Sequence, residues 1–225
     1  MSDIRGQLLP IYVLVDESTS MGPYMHELNA GLTSLHEALI AEPMAAAKVR
    51  FSVIGFSNTA ERRMHLQDLR RVDAMPPLRP RGGTSYGAAF SALLQQIPYD
   101  VRQLKAQRYA IHRPAVFFLS DGQPGDPEWW YPYHQRLINR QTLPEAPNII
   151  ACGIGQAEPR TILAVATERR FAFVSIPGTD VGRAIAKFCT ALTKSIIASG
   201  RSMNGGNAEL IVDPPQEFRL AIDVI

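Results

Sequence analysis

Cysteine is scarce: Cys152 and Cys189 are the only two in 225 residues. Both lie in apolar segments, too far apart for a C-x-x-C unit, so two buried, reduced thiols are expected. An excess of either charge is also missing. The 23 Lys and Arg against 21 Asp and Glu leave a net charge of +2, and no basic run is interleaved with aromatics. A phosphate-tracking surface, and with it a nucleic-acid partner, is not expected. No stretch approaches the roughly 18 uninterrupted apolar residues of a membrane span, and Met1-Ser2-Asp3-Ile4-Arg5 lacks the apolar core of a secretory leader. The expectation is a cytoplasmic protein without membrane attachment. Neither G-x-x-x-x-G-K-[ST] nor G-x-S-x-G occurs, which removes a P-loop and a nucleophile elbow. Gly153-Ile154-Gly155 is followed by Glu158 where a dinucleotide fingerprint needs its last small residue, so no nucleotide site is expected there. The five histidines, at 26, 36, 65, 112 and 134, have no ligand spacing and read as solvated or packed side chains.

What is present is a composition of 46% hydrophobic and 20% charged residues, enough apolar material to bury one large core. Residues 8–15 form a near-continuous apolar run that stops at a polar loop, the pattern of a strand covered on both faces. A helix is expected from Pro23, with Met25, Leu28, Leu32, Leu35 and Leu39 as its apolar stripe. Residues 49–56 and 59–66 read as two strands joined through Ser57-Asn58, forming a sheet edge. A loop rich in Pro, Arg and Gly spans 76–83 and a helix covers 85–97. A buried strand at 115–120 ends abruptly at Asp121-Gly122-Gln123-Pro124. Beyond it come a helix near 128–141, a strand at 148–153, a helix near 159–166, a strand at 171–175 and a helix at 180–198. Alternating strands and helices predict an α/β fold: a doubly wound, mainly parallel sheet flanked by helices, with an antiparallel edge strand. Residues 1–198 are expected to form the domain. Residues 199–207 read as a flexible linker, and two strand-like pieces at 209–212 and 218–225 form an extension packed on the same domain.

Open α/β sheets bind ligands at the carboxyl ends of their strands. Three clusters of oxygen-bearing side chains fall there: Asp16-Glu17-Ser18-Thr19-Ser20 after the first strand, Thr84 after the flexible Gly82-Gly83 pair, and Asp121. Alternation lets Ser18 and Ser20 point to one centre while Glu17 and Thr19 point away. Asp16, Ser18, Ser20, Thr84 and Asp121 together offer five oxygen ligands. That set suits a hard cation, magnesium first, with manganese or calcium as substitutes, better than zinc or copper. Alone, Asp16 and the serines would read as a helix cap; joined to Gly-Gly-Thr and a strand-terminal Asp in this order, they favour metal binding.

Asp16-x-Ser18-x-Ser20, Thr84 and Asp121 resemble the metal-ion-dependent adhesion site (MIDAS) of von Willebrand factor A-type (VWA) domains, with all five positions matched over a resemblance covering about residues 8–198. It implies a Rossmann-like fold in which Ser18, Ser20 and Thr84 are direct or near-direct ligands and Asp16 and Asp121 act directly or through water. It also implies that a partner protein supplies an Asp or Glu to the open coordination position. The segments 13–21, 81–84 and 119–122 are similar to bacterial intracellular members of the TerY type, which are associated with tellurium-resistance and phosphorylation-related gene clusters. A cation-dependent, non-enzymatic protein-interaction module is the leading reading. The alternative is a metal-dependent phosphoryl-transfer or hydrolytic enzyme, for which the sequence offers no placed general base. Arg81, with Arg79 beside it, is a candidate for steering an acidic partner. Trp129 and Trp130, in a segment where Asp126-Pro127 reads as a helix start, are candidates either for packing on the body or for a partner-facing rim.

Overall fold

The computed structural model describes residues 4–126, 129–203 and 209–224. In chain order the strands are β1 (Gly6–Asp16), β2 (Val49–Phe56), β3 (Ala60–Gln67), β4 (Tyr109–Ile111), β5 (Ala115–Ser120), β6 (Asn148–Gly153), β7 (Ala172–Ser175) and β8 (Phe218–Leu220). The helices are α1 (Met25–Ile40), α2 (Pro43–Lys48), α3 (Tyr86–Ala106), α4 (Trp130–Ile138), α5 (Pro159–Val165) and α6 (Val181–Ser202).

The apolar run of β1 is buried without a break from Leu8 to Asp16, because the strand lies inside the sheet with helices on both faces. The sheet runs β3-β2-β1-β5-β6-β7-β8, with short β4 pairing the start of β1. β2, β1, β5, β6 and β7 are mutually parallel, while β3 and β8 add antiparallel edges. Residues alternate between two cores. Ile11, Val13 and Val15 face Leu28, Leu32 and Phe188 of α1 and α6, whereas Tyr12 and Leu14 face Phe90, Leu93 and Trp130 of α3 and α4. From β1 the chain goes first to β2 on one side and later to β5 on the other. The order therefore reverses between β1 and β5, and the crevice at their carboxyl ends is the place where such sheets bind ligands. Among the described residues, no helix is long and apolar enough to cross a membrane.

Several element ends differ from expectation for identifiable reasons. Pro23 belongs to a 3-10 turn, Thr19–Tyr24, and α1 begins only at Met25. The helix expected to stop at 97, before Pro98, runs on to Ala106. Pro98 forfeits one backbone bond, but Val101 and Leu104 continue the buried face and Asp100 accepts the Tyr12 hydroxyl at 3.0 Å. The α4 helix is shorter than expected, and its anticipated start at Glu128 lies outside the described residues.

The expected linker at 199–207 begins as helix, since α6 extends to Ser202; residues 204–208 lie outside the described residues. Gly200 lets α6 approach α2, where an added Cβ would stand 3.0 Å from the Ala45 backbone. The hydroxyls of Ser195 and Ser199 accept the amides of Asp213 and Ile211 at 2.8 Å each. Those amides thus find partners on a helix instead of in a ladder, and 209–212 forms no strand. Among the described residues of the tail, only β8 joins the sheet, covering the edge of β7.

Gly31 of α1 faces α6 so closely that an added Cβ would lie 2.8 Å from the Cys189 Cβ. Gly31→Ala is expected to lower stability to urea by about 1–3 kcal/mol through overpacking, and Cys189→Ala in the same chain should recover part of the loss. An unchanged urea midpoint in Gly31→Ala would show that the two helices separate freely.

Candidate metal centre

Asp16 is the last residue of β1 and is fully buried. Its Oδ1 accepts the Ser18 amide at 2.8 Å and its Oδ2 accepts the hydroxyl of Ser120, the last residue of β5, at 2.6 Å. The carboxylate thereby bends the loop after β1 back over the β1/β5 crevice. The next oxygens follow in a chain, with Ser18 Oγ 3.0 Å from Ser20 Oγ and the Ser20 hydroxyl donating to Asp121 Oδ1 at 3.0 Å. Burial pushes the Asp16 carboxyl up to about 6, against the pull of the Ser120 and Ser18 donors, with Asp121 adding to the rise. Burial also raises Asp121, opposed by Ser20. Two crowded carboxylates that resist ionisation gain from a nearby cation.

Thr84 reaches the same end of the sheet on a loop stitched from both sides. The Arg81 amide donates to Glu17 O at 2.6 Å, the Thr19 amide and hydroxyl donate to Gly82 O at 3.0 and 2.9 Å, and the Gly83 amide donates to Asn58 Oδ1 at 2.8 Å. Gly82 has φ +58°, and a Cβ there would lie 2.9 Å from Asn58 Nδ2, so a larger residue would be strained and crowded. On the far side, the Gly125 amide donates to Thr84 O at 2.7 Å. Asp126 accepts the Ser85 hydroxyl at 2.7 Å, the Gly87 amide at 2.9 Å and the Tyr86 amide at 3.1 Å. A carboxylate on the first amides of α3 satisfies donors the helix leaves open and complements its dipole. Asp126, read from sequence as the start of its own helix, instead caps α3 and clamps the residue after Thr84. The Thr84 hydroxyl makes no hydrogen bond to the other four side chains among the described residues.

The resemblance implies a divalent cation among these side chains. Among the described residues, no three His, Cys, Asp or Glu side chains cluster as a metal site, so a cation here would depend on hydroxyls as much as on carboxylates. All its donors are oxygens, which suits a hard cation. Neighbouring oxygens on an octahedron with bonds of about 2.1 Å lie roughly 3.0 Å apart, the spacing of the Ser18, Ser20 and Asp121 oxygens. The residues fit the group.

Glu17 turns the other way, as alternation predicts. Its carboxylate is 0% exposed; it accepts Arg63 Nε and Nη2 at 2.9 and 2.8 Å and Arg81 Nε at 2.8 Å. Arg81, expected to steer a partner, has its guanidinium on Glu17, Glu61, Thr59 and the Gly55 carbonyl. Arg79 is the exposed one of the two. The tryptophans divide likewise. Trp130 is 6% exposed and packs between Tyr86, Phe90 and His134, which corrects its candidacy for a partner rim. Trp129 is 74% exposed. His134 and His36 are buried on the carbonyls of Val165 and Leu69, and Cys152 and Cys189 are buried and free. Sequence reasoning missed the roles of Ser120, Arg63 and Asp126. The one available signal for Asp126 was its place in a Gly-Asp turn shortly after Asp121.

A family model described as the von Willebrand factor type A domain matches residues 11–123. Among curated proteins, no relative of the chain was found. Several solved structures share the fold. The von Willebrand factor type A protein from Catenulispora acidiphila is 15% identical with a TM-score of 0.59, covering 85% of this chain and 43% of its own. The open conformation of the pilus adhesin SpaC from Lactobacillus rhamnosus GG is 14% identical with a TM-score of 0.65, covering 85% of this chain and 30% of its own. Proximal thread matrix protein 1 from the mussel byssus, in a structure with a zinc-occupied MIDAS motif, is 16% identical with a TM-score of 0.59, covering 84% and 48%. The chain spans less than half the length of each, and at these identities the likeness is one of fold. The match of the family model over half the chain, on the strands and loops that carry the centre, establishes that this chain belongs to the von Willebrand factor type A domain family.

Proposed function

We propose that Asp16, Ser18, Ser20, Thr84 and Asp121 hold one magnesium ion and that the chain uses it to capture an acidic side chain of a partner protein. The observation that carries this reading is the chain of oxygens over the β1/β5 crevice, Ser18 to Ser20 and Ser20 to Asp121 at 3.0 Å each, with Asp16 holding the Ser18 amide beside them. The bound cation would supply a Lewis-acidic position short of protein ligands. Two carboxylates against three neutral hydroxyls leave the loaded centre without excess negative charge, so an incoming Asp or Glu is attracted. Trp129, exposed near Gly125 and Asp126, is the side chain we assign to the partner-facing rim.

Glu17, the acid nearest the centre in sequence, is engaged by two arginines and faces away, which favours an interaction module over a hydrolytic enzyme. The likeness of residues 13–21, 81–84 and 119–122 to the TerY type supports a cytoplasmic role in a tellurium-resistance or phosphorylation-related bacterial system.

In a calorimetric magnesium titration, the wild type is expected to bind one equivalent, and folded Asp16→Ala and Thr84→Ala variants are expected to bind at least tenfold more weakly. A peptide library displaying Asp or Glu should be retained with magnesium and released by EDTA. Equal retention with and without EDTA would remove the mechanism.

A further inference from the structure

We infer that Glu17 and Arg81 are positioning residues that set the Thr84 loop over the Asp16–Asp121 cluster before any ligand arrives; as a role in cation binding, this rests on the reading above. Thr84 is the one member of the five whose hydroxyl is not tied into the hydrogen-bonded cluster, so its place is decided by its backbone. That backbone is held on its C-terminal side by Gly125 and Asp126 and on its N-terminal side through Glu17. The Glu17 carbonyl accepts the Arg81 amide at 2.6 Å, and the Glu17 carboxylate takes Arg81 Nε at 2.8 Å and the Arg79 amide at 3.4 Å. Residue 17 therefore grips the strap on both sides of Pro80, through main chain and side chain together.

Arg81 spreads the grip. Its Nη1 donates to Glu61 at 2.7 Å and to Thr59 Oγ1 at 3.0 Å, and its Nη2 donates to Gly55 O at 3.1 Å. A planar guanidinium forked in this way across β2, β3 and the residue that follows β1 has few alternative orientations. The next residue, Gly82, receives the Thr19 amide and hydroxyl, and Gly83 is held by Asn58. The device is local and continuous: buried carboxylate, forked arginine, glycine pair, threonine. It places the charge of Glu17 beneath the loop, away from the cluster, where it orders the strap without adding a third carboxylate to the centre. Groups that orient metal ligands in this way commonly contribute about tenfold to a hundredfold in affinity.

The test is a cycle of Arg81→Met, Thr84→Val and the double variant, read by magnesium calorimetry and, in EDTA, by amide hydrogen exchange. Arg81→Met is expected to weaken magnesium binding tenfold to a hundredfold, Thr84→Val comparably, and the double variant no further than Thr84→Val alone, because Arg81 acts through Thr84. In EDTA, the Thr19 and Gly83 amides should exchange slowly in the wild type and lose protection in Arg81→Met. Wild-type affinity in Arg81→Met, or losses that multiply in the double variant, would overturn the inference. Should the wild type itself take up no magnesium at millimolar concentration, the metal reading fails while the exchange arm still decides: retained protection in Arg81→Met overturns the positioning role and lost protection upholds it. If Arg81→Met does not fold, Arg81→Lys, which keeps the charge but not the fork, carries the same comparison with intermediate losses expected.

Discussion

Asp16→Asn is expected to abolish cation binding and yet stabilise the metal-free protein at neutral pH. The folded-state Asp16 carboxyl is raised to about 6 from an ordinary 3.8, burial being the largest cause. A raised carboxyl binds its proton more readily folded than unfolded. Its contribution to stability is therefore fully present below about pH 4 and is lost as the pH rises through about 6. Above that, the buried ionised group costs about 2–3 kcal/mol. Asparagine keeps an oxygen for the Ser18 amide and meets the Ser120 hydroxyl, which turns to accept. Urea unfolding in EDTA should thus show Asp16→Asn ahead of wild type at pH 7.5, with the gap closing towards pH 4. Saturating magnesium should reverse the order, since only the wild type gains from ligand linkage. A variant that is less stable than wild type in EDTA at pH 7.5 would mean that hydrogen-bond geometry, and not desolvation, governs Asp16. A binding site that costs stability until it is filled is a common trade between fold and function.

The largest loss of stability is expected at Glu17. Removing its carboxylate by Glu17→Ala takes the buried acceptor from Arg63 and Arg81 while Glu61 still engages both guanidiniums, so the loss is bounded above by the about 3–5 kcal/mol of a broken buried ion pair. Glu17→Gln keeps part of the hydrogen bonding and should lose less, and Glu17→Met combined with Arg63→Met should recover part of the loss because fewer charges are then buried unpaired. Urea midpoints of the four proteins would order them. The sequence around the pair is consistent with this dependence. Gly55 in β2 lies directly over the Glu17 carboxylate, where a Cβ would stand 2.7 Å from Oε1, so Gly55→Ala should displace Glu17 and mimic part of its removal. Near-equal stability of Glu17→Ala and wild type would show that solvent enters and screens the arginines.

The spacing of apolar residues was sufficient to read β1, β5, β6 and the doubly wound order, because strands covered on both faces have almost no polar residues to confuse the pattern. It failed where local signals conflicted with packing. Pro98 marks a helix end, yet α3 passes through it because Val101 and Leu104 continue its apolar face and Asp100 bonds to Tyr12. Ser199 and Gly200 read as linker chemistry, yet both are buried in α6, where small side chains admit α2 and the segment around Ile211. Asp126-Pro127 had the form of a helix start, but a cap bonds whichever amides fold brings near, and those belong to α3.

The five oxygen-bearing residues of the proposed centre could be singled out in one dimension because short spacings and strand ends locate them: D-x-S-x-S is local, and Thr84 and Asp121 follow turn-forming or strand-terminating signals. Which charged residues face that crevice and which support it could not be read in the same way. Glu17 and Arg81 are 64 positions apart, as little linked in the sequence as any other acid and base. Only folding decides that β2 carries a glycine over the carboxylate, that β3 brings Arg63 alongside it, and that Arg81 turns inward while Trp129 stays out. Backbone periodicity is a property of neighbours along the chain; the partners of a buried charge are chosen by desolvation, which acts only once distant segments have come together.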